Sequence, residues 1–228
     1  MTLAIAHRGD PVAHRENTLD AFAAAVAAGA DMIELDVRRT ADAGAAVLHD
    51  PTLERVWGRP ERVADLTVRE LQAIGIPSLA DALEAIPVQV MVDYTNSNVV
   101  EPALAAIEDV SALDRCVFAG DAFDGHRRIR ALHPTARIAL TWNRADRDPE
   151  PLLDELGAEF FNPDFRVLLR NTSLVRRMHE RGTAVSVWTV DARQELRRAL
   201  DLDVDAVITN RISDLLELLA DREVEEAC

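Results

Sequence analysis

The sequence is poor in features that would assign a function by themselves. It holds two cysteines in 228 residues. Cys116 and the C-terminal Cys228 make neither a disulfide framework nor a zinc-ligand spacing. Basic side chains are scarce: 25 Lys and Arg against 40 Asp and Glu give a formal charge of −15. Such a chain does not neutralise a phosphate backbone over a wide surface, so no nucleic-acid partner is expected. No apolar run approaches the ~18 residues of a membrane span. The longest candidate, 21–30, is broken by Gly29. The opening MTLAIAHRGD has no basic segment and meets His7 and Arg8 at once, so no signal peptide is expected. Linkers and low-complexity stretches are missing too. No Gly-x-Gly-x-x-Gly loop follows the first apolar run, which argues against an open dinucleotide-binding sheet. Apolar residues still make up 48% of the chain, enough for one sizeable core. The expectation is an acidic, cytoplasmic, enzyme-sized domain with no stable membrane insertion.

What recurs is a short apolar run, a turn and a helix-period segment. Residues 3–6 read as a strand. Leu19, Phe22, Ala23 and Val26 fall on one helix face, and Gly29 stops that helix. Residues 32–37 are the next strand, and 45–48 after the turn 41–44 suggests a hairpin. Further strands are expected at 88–93, 116–119, 137–142, 159–162, 184–190 and 205–209. Helices are expected at 79–86, 99–109, 125–132, 150–156, 172–181, 192–200 and 213–220, with a solvated acidic tail at 221–226. Eight βα units in this length match a single-domain (β/α)8 TIM barrel with a short hairpin after strand 2.

Polar residues interrupt the strand ends. His7 and Arg8 follow the first strand, Glu34 and Asp36 sit on the second, His49 and Asp50 close the 45–48 run, and Asp93 and Trp188 end later runs. In a parallel barrel these ends converge on one rim. Glu34 and Asp36 are two apart and point the same way, so a cation or proton between them is favoured. A hard divalent cation, Mg²⁺ or Ca²⁺, suits an all-oxygen set with Asp93 as third ligand. The competing possibility is that Glu34 and Asp36 pair with arginines such as Arg38. His7 and His49 suit an acid and a base near neutral pH, unless they are inert structural histidines. His14, His126, His133 and His179 read as solvated or structural. Arg8 offers a planar fork for phosphate. Trp188 is placed either to pack against an alcohol moiety or in the core. Phosphate-ester cleavage fits this set best.

The spacing of these residues resembles a known family. His7-Arg8-Gly9 followed by Glu16-Asn17-Thr18, Glu34-x-Asp36, and His49-Asp50 with Leu53 and Arg55 resemble the glycerophosphodiester phosphodiesterases. The similarity continues through Asp65-Leu66-Thr67, Ile76-Pro77-Ser78-Leu79, Trp188-Thr189-Val190 and the run Val204 to Thr209. It implies one barrel domain over residues 1–228, without an inserted cap between Asp50 and Pro77. It implies metal-dependent hydrolysis of a small glycerophosphodiester to sn-glycerol 3-phosphate and an alcohol. Glu34 and Asp36 would be metal ligands, His7 and His49 the acid/base pair, Arg8 a phosphate contact, and Glu16 and Asn17 would shape the rim or assist the metal. The chain departs from the family pattern at three points. Asp93-x-Thr95 stands where Glu-x-Lys is usual, Gly120-Asp121 where Ser-Phe is common, and Asn210 where Asp is usual. Thr95 thus enters the substrate site as an uncharged residue. Two alternatives accompany this reading: a lysophospholipase D or sphingomyelinase D-like enzyme forming a cyclic phosphate, and a catalytically weak binder of phosphorylated polyols.

Overall fold

Alternation along each apolar run decides the architecture. In the computed structural model, which describes residues 2–226, strands β1 (Leu3–His7), β2 (Met32–Arg39), β4 (Gln89–Asp93), β5 (Cys116–Ala119), β6 (Arg137–Trp142), β7 (Phe160–Pro163), β8 (Ala184–Val187) and β9 (Ala206–Thr209) pair in parallel. The pairing of β1 with both β2 and β9 closes the sheet into an eight-stranded barrel. The expected hairpin is present: β3 (Ala45–Val47) runs antiparallel to β2, with Val37 opposite Val47.

Residues two apart face the same side of a strand. Ile5, Met32, Met91, Val117, Ala139, Phe160, Ala206 and Ile208 therefore fill the barrel interior. The alternate residues, such as Ile33, Leu35, Val92, Phe118 and Leu140, pack outward against the helices in the larger core. The helices are α1 (Leu19–Ala28), α4 (Leu79–Ala85), α5 (Val100–Asp109), α6 (Phe123–Leu132), α7 (Glu150–Leu156), α9 (Ser173–Glu180), α10 (Arg193–Asp201) and α11 (Ile212–Glu226). None is long and apolar enough to cross a membrane. Thr18 caps α1 by accepting the Ala21 N–H, and Gly29 ends it in the left-handed region at φ 104°.

The structure differs from expectation in four places. Short helices α2 (Glu54–Trp57) and α3 (Val68–Gln72) lie between β3 and α4, and α8 (Phe165–Arg170) follows β7. Each spans under two turns, too little to show a period. With the hairpin, the 50–77 segment forms its own small core of Ala46, Leu48, Leu53, Val63, Leu71 and Ile76. Strand β8 stops at Val187, so Trp188 lies past its end. Helix α11 runs on to Glu226, because the acidic run after 220 carries nothing that breaks a helix. Cys116 is a buried free thiol; Cys228 lies outside the described residues.

One glycine sets the rim. Gly120 follows β5 with φ 126°, and a Cβ there would stand 2.0 Å from the Tyr94 carbonyl oxygen. Gly120→Ala combines a left-handed conformation with a backbone clash. It should lower stability by about 2–3 kcal/mol. Urea unfolding measures this, and a midpoint equal to wild type would refute the close approach.

Candidate active site

Strand register brings the site together. His7 pairs with Glu34 across β1 and β2, and Asp36 pairs with Asp93 across β2 and β4. Neighbouring strands lie ~4.8 Å apart, so residues far apart in the chain share one cavity at the C-terminal rim. The cavity measures about 150 Å³, and His7, Arg8, Glu34, Asp36, His49 and Asp93 line it. Thr95 and Trp188 line it as well. Thr95 does so from beyond the end of β4, while Tyr94 between it and Asp93 is buried. The Trp188 indole N–H donates to the Asn162 carbonyl at 2.9 Å, which holds the ring at the cavity wall.

Glu16 and Asn17 do not line the cavity; they hold residues that do. Arg8 and Asn17 both adopt the left-handed region, at φ 60° and 56°, an uncommon conformation for a non-glycine residue that is often found at functional sites. It turns the Arg8 N–H onto Glu34, 2.8 Å from the carbonyl oxygen and 3.1 Å from Oε2. Asn17 donates from Nδ2 to Asp36 Oδ2 at 2.8 Å, and its Oδ1 accepts the Asp36 N–H at 3.4 Å. Glu16 accepts from Arg8 at 2.9 Å and from Arg55 at 2.6 and 2.9 Å. Arg55 also donates to Asp50, which accepts from His49 Nδ1 at 2.6 Å. A continuous chain of charges thus joins Arg8 to His49. Burial alone would raise the Glu16 pKa, but the Arg55 hydrogen bonds and the Arg8 charge bring it below its ordinary value.

The carboxylates meet Arg8 and not Arg38. Arg8 Nε lies 3.1 Å from Asp36 Oδ2 as an ion pair, without its N–H being aimed at the oxygen. Arg38 Nε instead donates to the His49 carbonyl at 2.7 Å. One guanidinium does not balance three carboxylates. Burial, then the charges of Asp36 and Asp93, push Glu34 well above its usual range. Burial, then Asp36 and Asp121, push Asp93 up as well. This anionic, all-oxygen set has the chemistry of a site for a hard divalent cation. Among the described residues, no group of three or more His, Cys, Asp or Glu side chains is placed closely enough to hold a metal ion as the side chains stand.

The two histidines present the same atom to the cavity side. Asn210 Nδ2 donates to Asp191 at 2.8 Å, so its Oδ1 faces His7 and accepts from Nδ1 at 2.8 Å. Burial, then the adjacent Arg8, lowers the His7 pKa and keeps the imidazole neutral. Its Nε2 lies 3.8 Å from Glu34 Oε2. His49 Nδ1 is likewise occupied, by Asp50, and its Nε2 has no hydrogen-bond partner among the described residues.

Comparison with known proteins decides the family. The model of the glycerophosphoryl diester phosphodiesterase family matches residues 7–91 and 85–214. The chain belongs to this family. A probable glycerophosphodiester phosphodiesterase 2 of Mycobacterium tuberculosis is 32% identical, covering 96% of this chain and 91% of that one. A glycerophosphodiester phosphodiesterase of Caldanaerobacter subterraneus subsp. tengcongensis is 27% identical over 96% and 98%. The fold is that of an Oleispira antarctica phosphodiesterase solved with the product sn-glycerol-3-phosphate. Its TM-score is 0.88 at 17% identity, over 96% of this chain and 97% of that one.

The phosphodiesterase cavity has a second wall. Asp121, noted in the sequence as a departure from the family pattern, lines it from the far side together with Thr141, Asn143 and Asn162, which sequence reasoning missed. Thr141 Oγ1 accepts the Gly120 N–H at 2.9 Å and Asn162 Nδ2 at 3.2 Å, and Asn162 Oδ1 accepts from Ser186 at 2.8 Å. The signal was present: each is a polar residue at the end of an apolar strand. His126 is fully buried in helix α6 as a structural residue. Its Nε2–H donates to the Gly120 carbonyl at 3.1 Å, and Nδ1 accepts from the Tyr94 hydroxyl at 2.6 Å. If Asn210 fixes the His7 ring, Asn210→Ala should lower kcat by about 10–100-fold, the usual effect of losing a partner that orients a functional histidine. KM should change little. Steady-state kinetics decide it, and an unchanged kcat would sink the orienting role.

Proposed function

We propose that the protein hydrolyses small glycerophosphodiesters to sn-glycerol 3-phosphate and an alcohol, in the cytoplasm, by acid–base catalysis from His7 and His49. The observation that carries this reading is one cavity lined by one arginine, by the carboxylates Glu34, Asp36, Asp93 and Asp121, and by two histidines whose Nε2 atoms have no hydrogen-bond partner among the described residues. Glu34, Asp36 and Asp93 would hold a divalent cation, Mg²⁺ or Ca²⁺. Bound there, such an ion supplies positive charge to the phosphate oxygens as negative charge grows on them.

The chain's own residues divide the remaining work. The Arg8 fork, held by Glu16 and Asp36, grips the phosphate. Neutral His7 takes the proton from the attacking water oxygen at Nε2. His49, with Asp50 at its other nitrogen, gives a proton to the leaving alcohol oxygen as the phosphorus–oxygen bond breaks. One water is consumed, and a phosphate monoester and an alcohol are formed. Trp188 covers the organic part of the substrate, and Thr95 contributes a hydroxyl without charge.

Phosphorus NMR of a panel of glycerophosphodiesters and lysophospholipids, with divalent cations varied, tests the reading directly. Glycerol 3-phosphate is the expected signal; a cyclic phosphate would assign attack to the substrate's own hydroxyl. His7→Ala and His49→Ala should each reduce kcat by 10²–10⁴-fold, the usual contribution of general acid–base help. A variant that retains wild-type kcat removes its histidine from the mechanism.

Chelation should abolish turnover, and Glu34→Gln should reproduce that loss. Added Mg²⁺ or Ca²⁺ should raise the unfolding temperature of the wild type and not of Glu34→Gln. Full activity in excess chelator would end the metal assignment.

A further inference from the structure

Strand β6 has two polar faces at its end. Thr141 and Asn143 line the catalytic cavity. The alternate residues, Trp142 and Arg144, turn to the other side of the wall and line a second groove of about 350 Å³ on the same rim. Trp142, Val167 and Leu174 give it apolar surface. Arg144, Arg147, Arg170 and Arg177 give it charge, against Asp146 and Asp148.

The arginines are not equivalent. Arg177 is engaged by Asp148 at 3.1 Å and by Glu150. Among the described residues, Arg144, Arg147 and Arg170 have neither a carboxylate partner nor a side-chain hydrogen bond. Arg144 lies over the stacked Phe123 and Trp142 rings, 5.0 and 5.8 Å from their centroids. The rings fix the guanidinium plane and leave its in-plane N–H groups unengaged. The Trp142 indole N–H donates to the Arg144 carbonyl at 2.7 Å, and Arg177 ties the loop to α9, so the groove is built before a ligand arrives. In a chain of charge −15, three arginines free of carboxylates reverse the local sign beside the catalytic cavity. Paired forks over an apolar floor fit a phosphate that carries a short carbon skeleton.

We propose that this groove is a second phosphate-binding site, which takes a phosphate on the leaving group of the substrate and so favours glycerophosphodiesters bearing two phosphates. The proposal rests on the phosphodiesterase reading above. Its chemistry is shared by free phosphate acting as an effector, so the test separates the two sources.

Arg147→Glu/Arg170→Glu is compared with wild type on bis(glycerophospho)glycerol and on glycerophosphocholine. Arg197→Glu/Arg198→Glu makes the same charge change elsewhere, on α10, and serves as the control. The groove variant should lose at least about tenfold in kcat/KM on the two-phosphate diester, as charge-assisted hydrogen bonds are removed. It should keep its rate on glycerophosphocholine, and the control should change neither. An equal effect on both diesters, no effect, or the same effect from the control overturns the proposal. Calorimetry with inorganic phosphate adds the second arm. A groove variant that loses phosphate binding but handles both diesters as wild type does marks an effector site and overturns the substrate assignment. If neither diester is cleaved, the phosphodiesterase reading fails on its own. Calorimetric affinity for bis(glycerophospho)glycerol still decides the groove, and equal affinity in wild type and groove variant refutes it.

Discussion

Closing eight parallel strands forces Glu34, Asp36 and Asp93 into one cavity with a single guanidinium among them. Like charges in a partly buried space repel, and the rest of the site is arranged around that constraint. Arg8 takes an unfavourable backbone conformation to bring its amide onto Glu34 and its guanidinium to Asp36. Asn17 does the same to clamp Asp36 from behind. The charge still left over pushes Glu34 and Asp93 toward their protonated forms. A cation bound there would relieve the repulsion that protonation otherwise relieves.

The same constraint gives the charged chain behind the cavity its place. Glu16 is shared between Arg8 and Arg55, and Asp50 between Arg55 and His49. Each carboxylate bridges two donors, so Arg8 and His49 are held by one network although they stand on different loops. The opposite wall solves its polarity differently. Thr141, Asn162 and Ser186 bond to one another and to the Gly120 amide, so buried polar groups are satisfied without net charge. The cavity is charged on one side and neutral on the other, apart from Asp121 at its edge.

Much of this was legible in the chain. The short apolar runs marked the strands, His7 and Asp93 stood at the ends of theirs, and the spacing of two put Glu34 and Asp36 on one face. What the pattern did not carry is short or indirect. Helices α2, α3 and α8 are too brief to show a period. Glu16 and Asn17 were assigned to the rim because they belong to a recognisable motif, but their side chains point at Asp36, Arg8 and Arg55 instead. Thr141, Asn143 and Asn162 resembled ordinary strand-end residues until the barrel closed around them.

The amino-acid sequence by itself determined the barrel, the shared face of Glu34 and Asp36, and the residue types that chemistry on a phosphate requires. Those follow from local periodicity and from side-chain chemistry, which need no knowledge of distant neighbours. Only the tertiary structure decided which carboxylate meets which arginine, which nitrogen of His7 and His49 remains unbonded, and which side of β6 carries the second, arginine-lined groove. These depend on strand register and on left-handed turns, where a shift of one residue moves a side chain to the opposite face of the wall.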